Sequence, residues 1–171
     1  MPRSYLILKW VVYSLATLLL VLVQLFLLNQ ISLGGIVPFL PPMVVGTVAS
    51  YEGSRPSPVY ALVFGLLCDL ALTGSGAPAG FFSFVFTLGA LAAALLAEHL
   101  FSPGLLCTLM SVTVCYLVTA LGRCVYFLLR GSAVLPAVLL VAAKEYLLTL
   151  PCLVLVFPLL RLVHRRTTVD Y

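Results

Sequence analysis

The chain has 171 residues, of which 63% are hydrophobic and only 8% are charged, and its formal net charge is +4. Soluble domains contain about 25% charged residues, so this composition excludes a soluble protein. Because a bilayer core about 30 Å thick takes roughly 20 apolar residues per helix, the length predicts an all-α, polytopic integral membrane protein with about six spans in a single transmembrane domain, 1–171.

Six apolar stretches follow one another along the chain, separated by short breaks that contain glycine, proline and charged residues. The predicted spans are 5–29, 36–51, 58–73, 79–97, 104–129 and 135–163. The first stretch is too long for a signal peptide and has no convincing small-residue cleavage site, so it is predicted to be a retained span. The runs are apolar on both notional faces, which favours helices over the alternating strands of a barrel. Together these features predict a compact bundle of six transmembrane helices.

The second span begins irregularly, with Pro38, Pro41 and Pro42 in quick succession. Proline cannot donate to the helix ladder and clashes with the preceding turn. We therefore expect 37–42 to be extended or bent, with regular helix starting near Pro42 or Met43. Non-helical backbone at membrane depth should be packed inside the protein or lie at the interface.

The basic residues predict an orientation. With a cytoplasmic N-terminus, the outer loops carry one basic residue, Arg130, and the inner side, including the inner ends of the first and last spans, carries six. The inner group is Arg3, Lys9, Arg55, Arg161, Arg165 and Arg166. The positive-inside rule thus predicts cytoplasmic N- and C-termini. Because these residues lie at the ends of apolar runs and form no single patch, nucleic acid is not an expected partner.

Four charged residues within the predicted spans stand out as candidates for function, because an ionisable group costs about 2.5 to 3.5 kcal/mol at a helix centre. They are Asp69, Arg123, Lys144 and Glu145. Asp69 and Arg123 lie at similar depths, about 6 Å and about 9 Å from the outer ends of their spans. Either the two form a buried ion pair or one receives a group of a partner protein, or Arg123 reaches the lipid headgroups while Asp69 caps local backbone. Lys144 and Glu145 are adjacent and so point about 100° apart, and at least one should face the protein interior or a companion chain.

Small residues mark a predicted helix contact in the fourth span. Gly89, Ala93 and Ala97 recur every four residues and lie on one face, a pattern that allows close backbone approach. Packing within one bundle is favoured over docking of a separate subunit.

No catalytic, cofactor-binding or metal-binding residue is predicted. The sequence has no nucleophile elbow, phosphate-binding loop or zinc-protease motif, and His99 and His164 occur singly near the inner boundary, where a structural or solvated role is expected. All cysteines fall inside apolar segments without a C-x-x-C pair, so they are predicted to be small packing residues. They are Cys68, Cys107, Cys115, Cys124 and Cys152.

The segment 65–82 contains a motif of three parts. It reads Gly65-Leu66-Leu67-Cys68-Asp69-Leu70, then a glycine-rich turn from Gly74 to Gly80, then Phe81-Phe82. This segment resembles the central motif of the rod shape-determining MreD family, in which G-[LF]-L-x-D-L leads through a glycine-rich turn to G-[LF]-[FY]. The length, the six-span layout, the proline-led second span with Pro41 and Pro42, and the basic C-terminal end are also similar to that family.

The resemblance implies a noncatalytic component of the cell-elongation machinery in the bacterial inner membrane. Such a protein binds MreC and helps to couple MreB filaments to peptidoglycan synthases, and Asp69 with Arg123 would shape its surface in the outer leaflet. MreD proteins are also similar in fold to the substrate-binding subunits of energy-coupling-factor vitamin transporters. The alternative function is therefore small-molecule binding, which needs several convergent polar groups over an apolar pocket. Only the four intramembrane charges could supply them.

Overall fold

The structure is a computed structural model that describes residues 3–26, 28–30, 35–71, 78–100, 104–131 and 135–167. Its helices are α1 (Arg3–Phe26), α2 (Pro41–Glu52), α3 (Pro56–Ala71), α4 (Phe81–Leu100), α5 (Leu105–Leu129), α6 (Leu135–Thr149) and α7 (Leu153–Thr167). Within these described ranges there is no β-strand, so the predicted all-α fold class is confirmed.

Four helical stretches are long and apolar enough to cross a membrane, judged by length and composition. They are Lys9–Phe26, Phe81–His99, Leu105–Leu129 and Leu135–His164, and the apolar helix α3 is shorter. The last stretch was predicted as one span but consists of α6 and α7 joined by the 3-10 turn Leu150–Cys152. Pro151 lies in that turn, where its ring and missing N–H interrupt the regular ladder. Glu98 and His99, predicted to lie in a break, belong instead to the last turns of α4.

The chain reverses direction between α2 and α3 and between α3 and α4, so the bundle has two ends. At one end, which we call the Glu52 end, α2 finishes and the backbone N–H of Ser54 donates to Glu98 of α4 over 2.7 Å. At the other, the Asp69 end, the last turn of α3 meets the first turn of α4. The bundle is centred on α2, which packs against α3, α4, α5 and α7, whereas α1 packs mainly on α7 and α6 on α5.

The start of α2 follows from its prolines. Pro41 and Pro42 occupy the first turn, where the N–H that proline lacks would have no partner inside the helix. The prediction of regular helix from about Pro42 is thus confirmed. Every residue from position 41 to position 49 is buried, so neighbouring helices surround the first two and a half turns of α2.

The non-helical segment 36–40 that leads into α2 is buried or half-buried, and side chains of α1 and α5 make hydrogen bonds to three of its backbone groups. The Gln24 amide of α1 donates to the carbonyl oxygen of Pro38 over 2.8 Å and accepts from the N–H of Leu40 over 2.9 Å. The hydroxyl of Tyr116, on α5, donates to the carbonyl oxygen of Phe39. This arrangement confirms the prediction that the irregular entry is packed within the bundle.

Two glycines allow pairs of helices to touch backbone to backbone. A Cβ at Gly46 would lie 2.6 Å from Cα of Val112 on α5, and a Cβ at Gly65 would lie 2.5 Å from Cα of Ser83 on α4. At Gly89, by contrast, a Cβ would lie 3.5 Å from Cα of Cys115, which is an ordinary contact. The tightest approaches in the bundle are therefore at Gly46 and Gly65.

Replacing Gln24 by leucine should destabilise the protein by about 1 to 3 kcal/mol, because two buried backbone groups of segment 36–40 would lose their partners. The free energy of unfolding, measured with denaturant in mixed micelles, checks this. Gln30→Leu is the matched control, since that side chain is exposed. Equal stabilities of the two variants would contradict the assigned role of Gln24.

Replacing Gly65 by alanine should destabilise the protein by about 1 to 3 kcal/mol, because the added methyl group would force α3 away from α4. Gly89→Ala, in the same bundle, should change stability by less than about 1 kcal/mol. Thermal unfolding of both variants in the same detergent measures the difference. A Gly89→Ala variant as unstable as Gly65→Ala would contradict the geometry.

Candidate functional site

Asp69 caps the first turn of α4. Its Oδ1 accepts from the backbone N–H of Phe82 over 3.0 Å, and its Oδ2 accepts from the N–H and the hydroxyl of Ser83 over 3.1 and 2.5 Å. The first N–H groups of a helix have no partner within it, and a carboxylate near them also interacts favourably with the helix dipole. Of the alternatives for Asp69, the structure therefore selects backbone capping, although the capped helix is the next one.

The sequence motif forms one structural unit, the corner between α3 and α4. Gly65 lies at the closest approach of the two helices, Asp69 binds the start of α4, and Gly80 adopts a φ of +82° just before that start. A positive φ is strained for residues with a side chain, which explains glycine at this turn. Gly74, the other turn glycine of the motif, lies outside the described residues.

Arg123 pairs with Glu145. Its Nη1 lies 2.6 Å from Oε2 of Glu145, and its guanidinium stands over the ring of Phe39, 5.2 Å from the centroid. The Phe39 ring also packs against Phe82, with centroids 5.8 Å apart. Arg123 and Asp69 thus lie at the same end of the bundle. The ion pair between them, one of the alternatives for these residues, is not formed, because Arg123 pairs with Glu145 and Asp69 caps α4. Arg123 lies on α5, which packs against α6, whereas Asp69 lies on α3, which packs chiefly on α4. This packing keeps the two side chains apart.

Further polar groups join α5 to α6 beside this ion pair. The hydroxyls of Thr113 and Tyr146 are 2.8 Å apart, and the rings of Tyr116 and Tyr146 meet edge to face at 5.2 Å. The hydroxyl of Thr149 donates to the carbonyl oxygen of Glu145 one turn earlier. Hydrogen bonds between side chains strengthen helix contacts in lipid, so the α5–α6 contact combines polar bonds with ordinary packing.

The adjacent residues Lys144 and Glu145 diverge as their spacing predicts. Glu145 turns toward α5, so the expectation that at least one of the two faces the protein interior is confirmed. Lys144 is exposed on the outside of α6, and the described residues provide it with no ion pair. Of the four predicted intramembrane charges, Asp69, Arg123 and Glu145 are engaged inside the bundle and Lys144 faces outward.

A second charged cluster, which sequence reasoning missed, lies at the Glu52 end. Oε2 of Glu52 lies 2.6 Å from the ammonium nitrogen of Lys9. Oε1 of Glu52 accepts a hydrogen bond from the hydroxyl of Tyr13 over 2.9 Å and lies 3.0 Å from Nδ1 of His164. Burial acts to raise the pKa of Glu52, but hydrogen bonds from His164 and Lys9 outweigh it and hold the pKa below its usual value. The cluster joins α1, α2 and α7.

The sequence carried a weak signal for this cluster. The apolar pattern places Glu52 in the break after span 36–51 and His164 singly near the inner boundary. The predicted topology puts both residues on the same side of the membrane as Lys9. Nothing in the sequence shows that the three side chains are in contact. His164 also stacks on Tyr51 with ring centroids 5.1 Å apart, which supports the structural role expected for it.

The small residues of α4 and most of the cysteines serve packing. Gly89 and Ala93 are buried, Ala97 is partly buried, and Gly89 faces Cys115 on α5. Gly89 and Ala93 therefore pack within the bundle. The cysteines are free, and four of them, Cys68, Cys107, Cys115 and Cys124, are buried.

These side chains bind helices to one another. Among the residues that the structure describes, no three or more His, Cys, Asp or Glu side chains come together as a metal site would require. Comparisons of the chain with protein families, with curated proteins and with solved structures found no match.

Replacing Arg123 by leucine should destabilise the bundle by about 2 kcal/mol, because Glu145 would be left without its partner. This loss lies between the losses expected for breaking an exposed ion pair and a fully buried one. The double variant Arg123→Leu with Glu145→Leu should recover most of that loss, since neither charge remains. Unfolding of the single and double variants in lipid nanodiscs measures the coupling.

Arg130→Leu is the control for loss of an arginine, because Arg130 is exposed and its guanidinium lies over the ring of Tyr126 at the same end of the bundle. It should cost less than Arg123→Leu. If the double variant lost the sum of the two single losses, Arg123 and Glu145 would not be a coupled pair.

Proposed function

We propose that this chain is a noncatalytic scaffold of the bacterial cell-elongation machinery that acts as MreD proteins do. In this role it binds MreC in the inner membrane and helps to couple MreB filaments to peptidoglycan synthases. The observation that carries the proposal is the placement of the intramembrane charges. Asp69 holds α4, Arg123 and Glu145 join α5 to α6, and Lys144 faces outward. Such a bundle is rigid inside and leaves a polar group for another chain.

The resemblance to MreD proteins supports the same proposal through the segment 65–82. The residues that carry it form one corner in which Gly65, Asp69 and Gly80 each have a distinct structural task. A motif of this kind maintains a helix junction, as a scaffold requires, and performs no chemistry of its own.

The proposal includes six crossings of the membrane with both termini in the cytoplasm. The helix α2 has 12 residues and so is about 18 Å long, and the non-helical segment 36–40 adds about 16 Å, so the two together match a core about 30 Å thick. Lys9, Arg55 and Arg161 lie at the Glu52 end and Arg130 at the Asp69 end, and an excess of basic residues marks the cytoplasmic side.

Small-molecule binding of the vitamin-transporter kind receives less support from the geometry. That function needs the charged groups of the spans to converge on a ligand. Asp69 is occupied by the backbone of α4, Arg123 by Glu145, and Lys144 points away from both.

Affinity purification of the tagged full chain from its native membrane in mild detergent tests the proposal. We expect MreC and peptidoglycan synthases to copurify, identified by mass spectrometry, and to be absent when the same chain is untagged. Recovery of an ATPase module or a bound vitamin in their place would show that the scaffold function is wrong.

A further inference from the structure

Lys144 is exposed on the outside of the bundle, and the proposed topology puts it near the middle of the membrane. It follows Leu135, the first residue of α6, by about 14 Å along the helix, which is close to half of a core about 30 Å thick. Lysines near the ends of a spanning helix extend their side chains to the headgroups, and this residue is far from both ends of the stretch Leu135–His164. Its ammonium group therefore needs a partner at its own depth.

The described residues do not supply that partner. The nearest carboxylate in sequence, Glu145, points about 100° away around the helix and binds Arg123 at 2.6 Å. The carboxylate of Asp69 is occupied by three donors at the start of α4. The pairing of Arg123 with Glu145 leaves Lys144 without a carboxylate within ion-pair distance among the described residues.

The face around Lys144 is apolar and open. Exposed residues at helical spacing extend it in both directions, and with Lys144 they define what we call the α6 face. The α6 face comprises Leu140, Val141, Lys144, Leu147 and Pro151. The helix behind it packs mainly on α5 and has one fully buried residue, Thr149. The open surface is thus two to three turns long with one cation at its centre.

We infer that the α6 face receives a transmembrane helix of another chain that carries an aspartate or glutamate near mid-membrane. The carboxylate pairs with Lys144, and the apolar residues on either side pack against the incoming helix. Charge complementarity selects this occupant, because a carboxylate at the same depth neutralises a cation that lipid tails cannot solvate. The inference deepens the proposed scaffold function and rests on it for the identity of the partner.

Site-specific photocrosslinking in native membranes tests the contact. A photoreactive amino acid placed at Leu140 or Leu147 of the full chain should crosslink to a transmembrane peptide of a second protein, and that peptide should contain Asp or Glu. The same probe at Leu139 is the control, because Leu139 is exposed but points about 140° away from Lys144. Crosslinks from the α6 face only to lipid, to a second copy of this chain, or to a peptide without Asp or Glu would overturn the inference.

Substitutions at Lys144 test the charge itself. Lys144→Leu should lower the yield of the crosslink by about five- to thirtyfold, the range expected for loss of one polar contact between membrane helices. Lys144→Arg, which keeps the charge, should retain the yield. Lys144→Glu should abolish the crosslink, and replacing the partner's acidic residue by lysine should restore it, an exchange that a general loss of folding would not show.

The two failures are distinguishable. If Lys144→Leu still recovers the elongation proteins and the crosslink at the yield of the unmodified chain, the α6 face is not the binding face and the scaffold function stands. If the unmodified chain recovers no elongation protein but crosslinks to an acidic transmembrane helix, the contact stands and the scaffold function falls.

Discussion

The constraint on which this structure depends is that peptide groups in a membrane must find partners within the protein. Segment 36–40 is not helical, so its backbone cannot satisfy itself, and each unsatisfied group would cost several kcal/mol in hydrocarbon. Gln24 and Tyr116 provide the missing bonds from α1 and α5. The helix that follows this segment, α2, lies at the centre of the bundle and packs against α3, α4, α5 and α7.

Charged side chains also find their partners within the protein at both ends of the bundle. At the Glu52 end one carboxylate collects Lys9, Tyr13 and His164 and joins three helices. At the Asp69 end one carboxylate binds the start of α4 and another binds Arg123. Each buried or half-buried carboxylate therefore serves to connect elements, which is the usual condition under which membrane interiors tolerate charge.

The sequence predicted the helices and the depth of the polar groups well. Continuous apolar runs and the prolines at 41 and 42 located the elements, because both signals are local. The rotation of each helix about its axis is set by the neighbouring helices and cannot be predicted from the local sequence. For that reason the sequence leaves open whether Asp69 pairs with Arg123 or caps local backbone, and it does not connect Glu52 with His164, 112 positions away.

The cluster at Glu52 also has a consequence for biogenesis. Synthesis delivers α1 and α2 to the bilayer long before α7, which supplies His164 across a separation of 112 residues. During that interval the carboxylate of Glu52 has only Lys9 and Tyr13 to bind, and the groove later filled by α7 is open. The contact of α1 with α7 and the full set of partners of Glu52 can therefore form only after α7 has been synthesised.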